Sequence, residues 1–447
     1  MRRNAWTALF ACGVAAVMMP AAAAADLSGD YIAEVRVAPS IEPDVAHVSL
    51  NVAGTTVSGR WGERSIAGSV SGRTLTLALT DANGTAAGNV RGQIGSRVIQ
   101  GDGALTRRAV MGMGGGGRAA NAAPEPVTWT LTRHTPPAAG NHYTFEPRSF
   151  YTTYSAQWAP VLRLHAGDTV STRTYDAERD AAAVRYGVGG NPSTGPFYVE
   201  GALPGDTLVV HLKRVRTNRL TARQGTRINA RAVTAAYLVG AQYDAAVTGD
   251  WALDLEAGVA RLAHPTQRMK DFRVPIRTML GCVSVAPPGQ DQARGTDLGV
   301  YGGNLDYNDN VEGTTLYFPV FHAGALFGIG DAHAAMGDGE VTGSALETSA
   351  DVEFSVEIIR GQSYPQVRAE TADYLISFGV SGSVAESIQA ATTQLADWLK
   401  QDYAMSDSEV AVFLGAVLMY DIAELVDPHL NVVAKVPKAA LASLSKH

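Results

Sequence analysis

Cysteine, clustered positive charge and long hydrophobic runs are all scarce in this chain. Only Cys12 and Cys282 occur among its 447 residues. A disulfide-stapled fold is therefore excluded, since Cys12 falls in an N-terminal segment that reads as removable and Cys282 is then left alone. Charged residues make up 18% of the chain, the net charge is −7, and no long Lys/Arg run is present. Nucleic acid is not an expected partner, because phosphate contacts need clustered cations. Past residue 25, no apolar stretch reaches the length needed to span a bilayer, so the mature chain is expected to have no membrane span.

The N-terminus has the order of a secretory signal. Arg2 and Arg3 are followed by an almost unbroken apolar run over 8–20 and by small residues over 21–25 ahead of Asp26. Cleavage near Asp26 and a periplasmic or secreted product are expected, by a general or a twin-arginine route. Cys282, flanked by Leu280, Val283 and Val285, reads as a buried small hydrophobe.

Glycine is abundant, at 47 residues, and it separates short alternating runs. From 26 to 135 such runs (46–52, 56–60, 74–79, 98–100, 127–132) predict a small all-β module, with the 112–117 and 119–126 stretches as a long loop. From 145 to 445 a second, catalytic domain is expected. Its runs at 162–164, 168–174, 207–215, 314–320 and 351–359 are strand-like, and the absence of interleaved helices argues against a doubly wound α/β sheet. Ser383-Val-Ala-Glu386 and Ser406-Asp-Ser-Glu409 are capping boxes, predicting helices to about Lys400 and to about Leu425, before a last strand at 432–436. The class is mostly β (α+β), with sandwich- or barrel-like packing and C-terminal helices.

Polar residues gather in three segments. The first contains Tyr175-Asp176-Ala177, Asn191-Pro-Ser-Thr-Gly-Pro196 and Glu200-Gly-Ala-Leu-Pro-Gly-Asp206. The second runs Gly281-Cys-Val-Ser-Val-Ala-Pro287, then Gly302-Gly-Asn-Leu-Asp306, and the third contains Gly330-Asp-Ala-His333-Ala-Ala-Met-Gly337-Asp-Gly-Glu340 and ends near Glu347. In extended chain Asp331 and His333 face one side, and Asp338 and Glu340 repeat the spacing. One imidazole with several carboxylates is a mixed N/O donor set suited to Zn²⁺, Mn²⁺ or Fe²⁺, and the same composition also occurs in solvated turns. His165 and His322 read as packed or rim histidines, Trp158 as core or pocket wall, and Asp168 and Asp206 as turn-fixing residues.

These strings, together with Val426-Asp-Pro-His-Leu-Asn-Val-Val-Ala-Lys-Val-Pro437, resemble the acetamidase/formamidase family over about 155–445. The resemblance implies a mostly-β catalytic domain that hydrolyses a small linear amide to carboxylic acid and ammonia with a divalent metal, zinc first, with manganese, iron or calcium as alternatives. The matching polar positions are Asp176, Asn304, Asp306, Asp331, His333, Asp338, Glu340 and Glu347. Asp176, Asp331, His333 and Glu340 are the expected metal ligands; Glu340, Asp338, Asn304 and Asp306 the catalytic polar groups; Gly337, Gly339 and Glu347 the substrate-binding positions. Either Asp331 or Glu340 completes the ligand set and the other serves as base, while backbone N–H groups of 337–339 hold the developing oxyanion. The rivals are Cys282 as a covalent nucleophile, and a periplasmic ligand-binding or scaffold protein without turnover. Residues 177–189 and the N-terminal module depart from the family pattern, and self-association is left open.

Overall fold

The computed structural model describes residues 27–38, 43–96, 98–106, 123–134, 140–177, 190–442 and 444. The signal-like segment, the 112–117 loop and residues 178–189 lie outside them. Described residues up to His134 form one compact unit and those beyond it another.

The first unit is a closed eight-stranded barrel of consecutive antiparallel strands: β1 Gly29–Arg36, β2 Asp44–Ala53, β3 Thr56–Trp61, β4 Arg64–Ser71, β5 Thr74–Thr80, β6 Ala86–Ile94, β7 Val98–Leu105 and β8 Glu125–Arg133, with β8 returning to β1. Two-residue periodicity places Leu75, Leu77 and Leu79 of β5 inside and their neighbours outside. Eight strands leave an interior that side chains can fill. Here Trp61 and Trp129 fill it edge-to-face, 5.7 Å between ring centres. Glu125 and Pro126, expected in a loop, belong to β8, where pairing with Leu105 and Ala104 extends the strand.

The second unit is dominated by an eleven-stranded and a nine-stranded sheet. Their buried faces share one core, in which Phe354 of the nine-stranded sheet lies 5.2 Å from Phe197 and 5.3 Å from Phe327 of the other. Every residue of the strands Met279–Ser284 and Phe327–His333 is buried. Being covered on both sides explains why these runs lack alternation. On the outer face of the nine-stranded sheet, Leu375, Ala434 and Val436 pack against Leu395, Trp398 and Leu399 of the helix Val384–Tyr403. No helix among the described residues is long and apolar enough to cross a membrane, which says nothing about strands.

The C-terminal helices begin at their caps. The Ser383 hydroxyl accepts from the Glu386 amide, and Ser406 with Glu409 completes a capping box. The second helix, however, is Asp407–Val417 rather than one running to about Leu425. The chain turns extended at Leu418 and enters a strand, Met419–Glu424, that pairs with Leu430–Pro437. Ladder pairing outweighs the helical pattern there, and it carries Glu424 into the interior.

Candidate metal centre

The centre forms where strands of the two sheets approach each other. Phe327–His333 contributes Asp331 and His333, which share a face two residues apart. Its neighbour Glu347–Thr348 pairs Glu347 directly with His333. The chain leaving Gly302–Asn304 supplies Asn304 and Asp306. A β-bridge between Gly339 and Glu424 brings the edge strand of the nine-stranded sheet to the turn that carries Glu340.

Asp306, Asp331, Glu340 and Glu347 surround His333, Glu424 adjoins Asp306 and Glu340, and all six are buried. His333 Nε2 lies 3.3 Å from Glu347 Oε2, 3.4 Å from Asp331 Oδ1 and 3.8 Å from Glu340 Oε1, while Nδ1 lies 4.0 Å from Asp306 Oδ1. Asp306 Oδ1, Asp331 Oδ1, Glu347 Oε2, Glu424 Oε2 and both ring nitrogens of His333 nevertheless have no hydrogen-bond partner. Enclosing that many unsatisfied donor atoms is costly unless something neutralises them.

Backbone strain accumulates at the same place. Among the described residues seven non-glycine residues have positive φ, and four of them are Asn191, Asp306, Asp331 and Glu340. Such conformations cost free energy and persist where surrounding structure enforces them. Gly281 permits the close approach of the acids: a Cβ there would lie 2.2 Å from Asp306 Oδ1 and 2.9 Å from Asp331 Oδ2.

Amides hold the cluster from outside. Asn191 Nδ2 donates to Asn304 Oδ1 at 2.8 Å and to Asp331 Oδ2 at 2.9 Å. Asn304 Nδ2 donates to Asp306 Oδ2 and, at 2.7 Å, to Asp427 Oδ2. The Glu347 Oε1 atom accepts from the Ala345 amide, and Glu424 Oε1 from those of Val426 and Asp427.

Electrostatics follow from burial and like charge. Burial pushes the Glu347 and Glu424 carboxyls up to about 7 and Asp427 to about 6, with neighbouring carboxylates adding to the rise. Burial and the surrounding acids also raise Asp306 and Glu340 well above the carboxylate range. For His333 burial disfavours the charge, but Glu347 and Asp331 outweigh it and hold the imidazole well above its ordinary value.

Several expected residues are placed elsewhere. Asp176 is ion-paired with Arg219 at 2.5 Å and belongs to none of the three donor groups found among the described residues. Asp338 is exposed and accepts from Asn308 Nδ2 at 2.8 Å, as Gly337 is also exposed. The expected shared side for Asp338 and Glu340 fails because Gly339 and Glu340, at φ +76° and +43°, turn the chain instead of extending it. Glu347, expected at the substrate, instead faces the imidazole.

Cys282 is buried, as read from sequence, but its surroundings are polar. Its thiol donates to Asn304 Oδ1 at 2.8 Å and approaches Asp331 Oδ2 at 3.9 Å. Burial, then Asp331 and Asp306, push it well above the usual thiol range, which opposes a thiolate nucleophile. Trp158 stacks on Tyr151, 4.4 Å apart, in the wall of a small cleft that Tyr154 and Ser284 also line. Asp168 and Asp206 cap turns, accepting from the amides of His165 and Leu203. The sequence reading missed Asn191, Gly281, Glu424 and Asp427 as site residues. Asn191, Gly281 and Asp427 stood in strings that had drawn notice, and the predicted helix concealed Glu424.

A buried carboxylate–histidine centre in a mostly-β, two-sheet unit defines the class. A sequence profile described as the Acetamidase/Formamidase family matches residues 289–396. An acetamidase of Mycolicibacterium smegmatis is 36% identical over 61 residues, 13% of this chain and 15% of that protein's length. The fold is similar to a recombinant predicted acetamidase/formamidase from the thermophile Thermoanaerobacter tengcongensis, with TM-score 0.58 and 25% identity over 68% of this chain and 98% of the other. It is also similar to an acetamidase from Bacillus halodurans, with TM-score 0.57 and 25% identity over 68% and 99% of the two chains. The match to the acetamidase/formamidase family thus covers residues 289–396, and the likeness to the two solved structures extends over 68% of the chain.

Proposed function

We propose that this protein hydrolyses the C–N bond of a small linear amide to a carboxylic acid and ammonia, using a divalent cation held around His333. The supporting observation is the convergence of unpartnered buried donor atoms from His333, Asp306, Asp331, Glu347 and Glu424. Such a set fits a cation, which would satisfy these atoms at once. His333 Nε2 with Asp331 and Glu347 is a mixed N/O donor set suited first to zinc, with manganese, iron or calcium as alternatives. A bound cation in such a site supplies Lewis-acid polarisation of a carbonyl oxygen and lowers the pKa of water.

The chain's own residues do the rest. Asn191 orients the Asp331 carboxylate, and Asn304 orients Asp306 and Asp427. Glu340, on a strained turn and raised by burial, is the proton-transfer group: it accepts a proton from the attacking water and delivers it to the departing nitrogen. Export through the N-terminal segment, a β-module at 26–135 distinct from a catalytic domain at 145–445, and a small amide as the only required partner complete the proposal.

The test is ammonia release from a panel of short amides by purified protein of known metal content. His333→Ala should lower bound metal and hydrolysis together with the β-rich circular dichroism unchanged, whereas Glu340→Gln should lower turnover far more than metal content. A His333→Ala protein that keeps full metal and the parental rate removes this centre from the reaction. No ammonia from any amide, with metal bound, favours a ligand-binding protein without turnover.

A further inference from the structure

The outer surface of the barrel carries a hollow whose chemistry the amide reaction does not use. Two-residue alternation turns Val127, Trp129 and Leu131 of β8 inward and Thr128 and Thr130 outward. Register then builds two polar rows across four strands. Glu34 of β1, Thr130, Gln100 of β7 and Gln93 of β6 form one, and Arg36, Thr128, Asp102 and Arg91 form the other. Long side chains on β1, β6 and β7 stand on both sides of the short threonines, leaving a groove of about 390 Å³ over β8. Its floor is held from inside. The Trp129 indole comes within 2.4 Å of where a Gly92 Cβ would stand, and its N–H donates to the Asp102 carbonyl at 3.1 Å.

We propose that this groove binds a neutral oligosaccharide. Its volume falls in the range of small-ligand sites, roughly 300–1,000 Å³, but its lining is polar where such sites are mostly apolar. Trp129, the aromatic residue of the lining, is buried against Trp61, so an aliphatic or aromatic ligand finds no surface to cover. The charges are mixed. Arg36 lies 3.6 Å from Glu34, and Asp102 lies across Thr128 from Arg36, which disfavours phosphates and nucleic acid. An extended peptide would pair with a free strand edge, and the closed barrel has none. Hydroxyl-rich ligands remain. The carboxamides of Gln93 and Gln100 both donate and accept, the carboxylates of Glu34 and Asp102 accept, and the threonine hydroxyls do either. Adjacent hydroxyls of a sugar ring, each a donor and an acceptor, match such planar paired groups. Water competes for every one of these bonds, so affinity should be modest and spread over several contacts.

The full chain is titrated by calorimetry with cellotetraose, maltotetraose and chitotetraose as probes, and at least one should bind saturably. For that sugar Gln100→Ala and Asp102→Ala should each weaken binding about three- to tenfold, the worth of one hydrogen bond. Thr130→Trp, which fills the groove, should abolish binding, while Ser58→Trp on the outer face of β3 should leave it unchanged. All four side chains point outward, so circular dichroism and ammonia release should match the parent. No saturable binding of any of these sugars, or parental affinity in Thr130→Trp, overturns the proposal. Binding of inorganic polyphosphate or of an unstructured polar peptide, with no sugar bound, overturns it as well. Neither result bears on amide hydrolysis, which is read separately by the ammonia assay.

Discussion

At the scale of single residues, the absence of one methyl group shapes the centre. Gly281 has no side chain because the Asp306 carboxylate occupies the place where a Cβ would stand. Gly281→Ala should therefore push Asp306 and Asp331 apart, lowering metal content and costing roughly 1–3 kcal/mol by overpacking. Denaturant unfolding and metal analysis check this, and a variant with unchanged metal affinity and stability would show that the cluster relaxes freely. Cys282, two atoms' breadth from the same acids, has the opposite expectation. Cys282→Ser keeps a donor for Asn304 Oδ1, so it should retain most turnover and lose about 1 kcal/mol of stability. Complete loss of hydrolysis in a folded, metal-loaded Cys282→Ser protein would restore the thiol mechanism.

At the scale of elements, local signals and ladder pairing compete. Ser406 and Glu409 satisfy each other's backbone amides and start the helix Asp407–Val417. Ser406→Ala should cost about 1 kcal/mol and leave amide hydrolysis intact, measured by chemical denaturation beside the ammonia assay. An equal loss of activity would mean that the helix start is coupled to the centre. The caps were legible because they depend on residues three apart. The end of the helix was not, because Met419–Glu424 is extended only through its pairing with Leu430–Pro437. In the barrel, by contrast, β5 alternates with a solvated face, so its periodicity was open to view.

At the scale of the whole molecule, the buried acids make stability depend on pH in an unusual direction. Glu347 and Glu424 titrate near 7 and Asp427 near 6 in the fold, above the ordinary carboxylate value of about 4. Groups raised in this way contribute stability that is fully present below the unfolded pKa and is lost as pH rises through the folded pKa. Cation-free protein should accordingly melt at a lower temperature at pH 7.5 than at pH 5, and Glu424→Gln should narrow the difference. Added Zn²⁺ should raise the melting temperature more at pH 7.5, where the ligands are ionised. Thermal melts showing cation-free protein more stable at pH 7.5 would contradict this electrostatic picture. The sequence by itself determined the β-rich class, the helix starts, and the joint use of Asp331 and His333, since each follows from spacings of two to four residues. Only the tertiary structure decided that Asp338 faces solvent, that Asp176 pairs with Arg219, and that Glu424 joins Asp306 and Glu340 from far along the chain. Those outcomes depend on a turn at Gly339, on the meeting of two sheets and on the space left at Gly281, none of which a local spacing encodes.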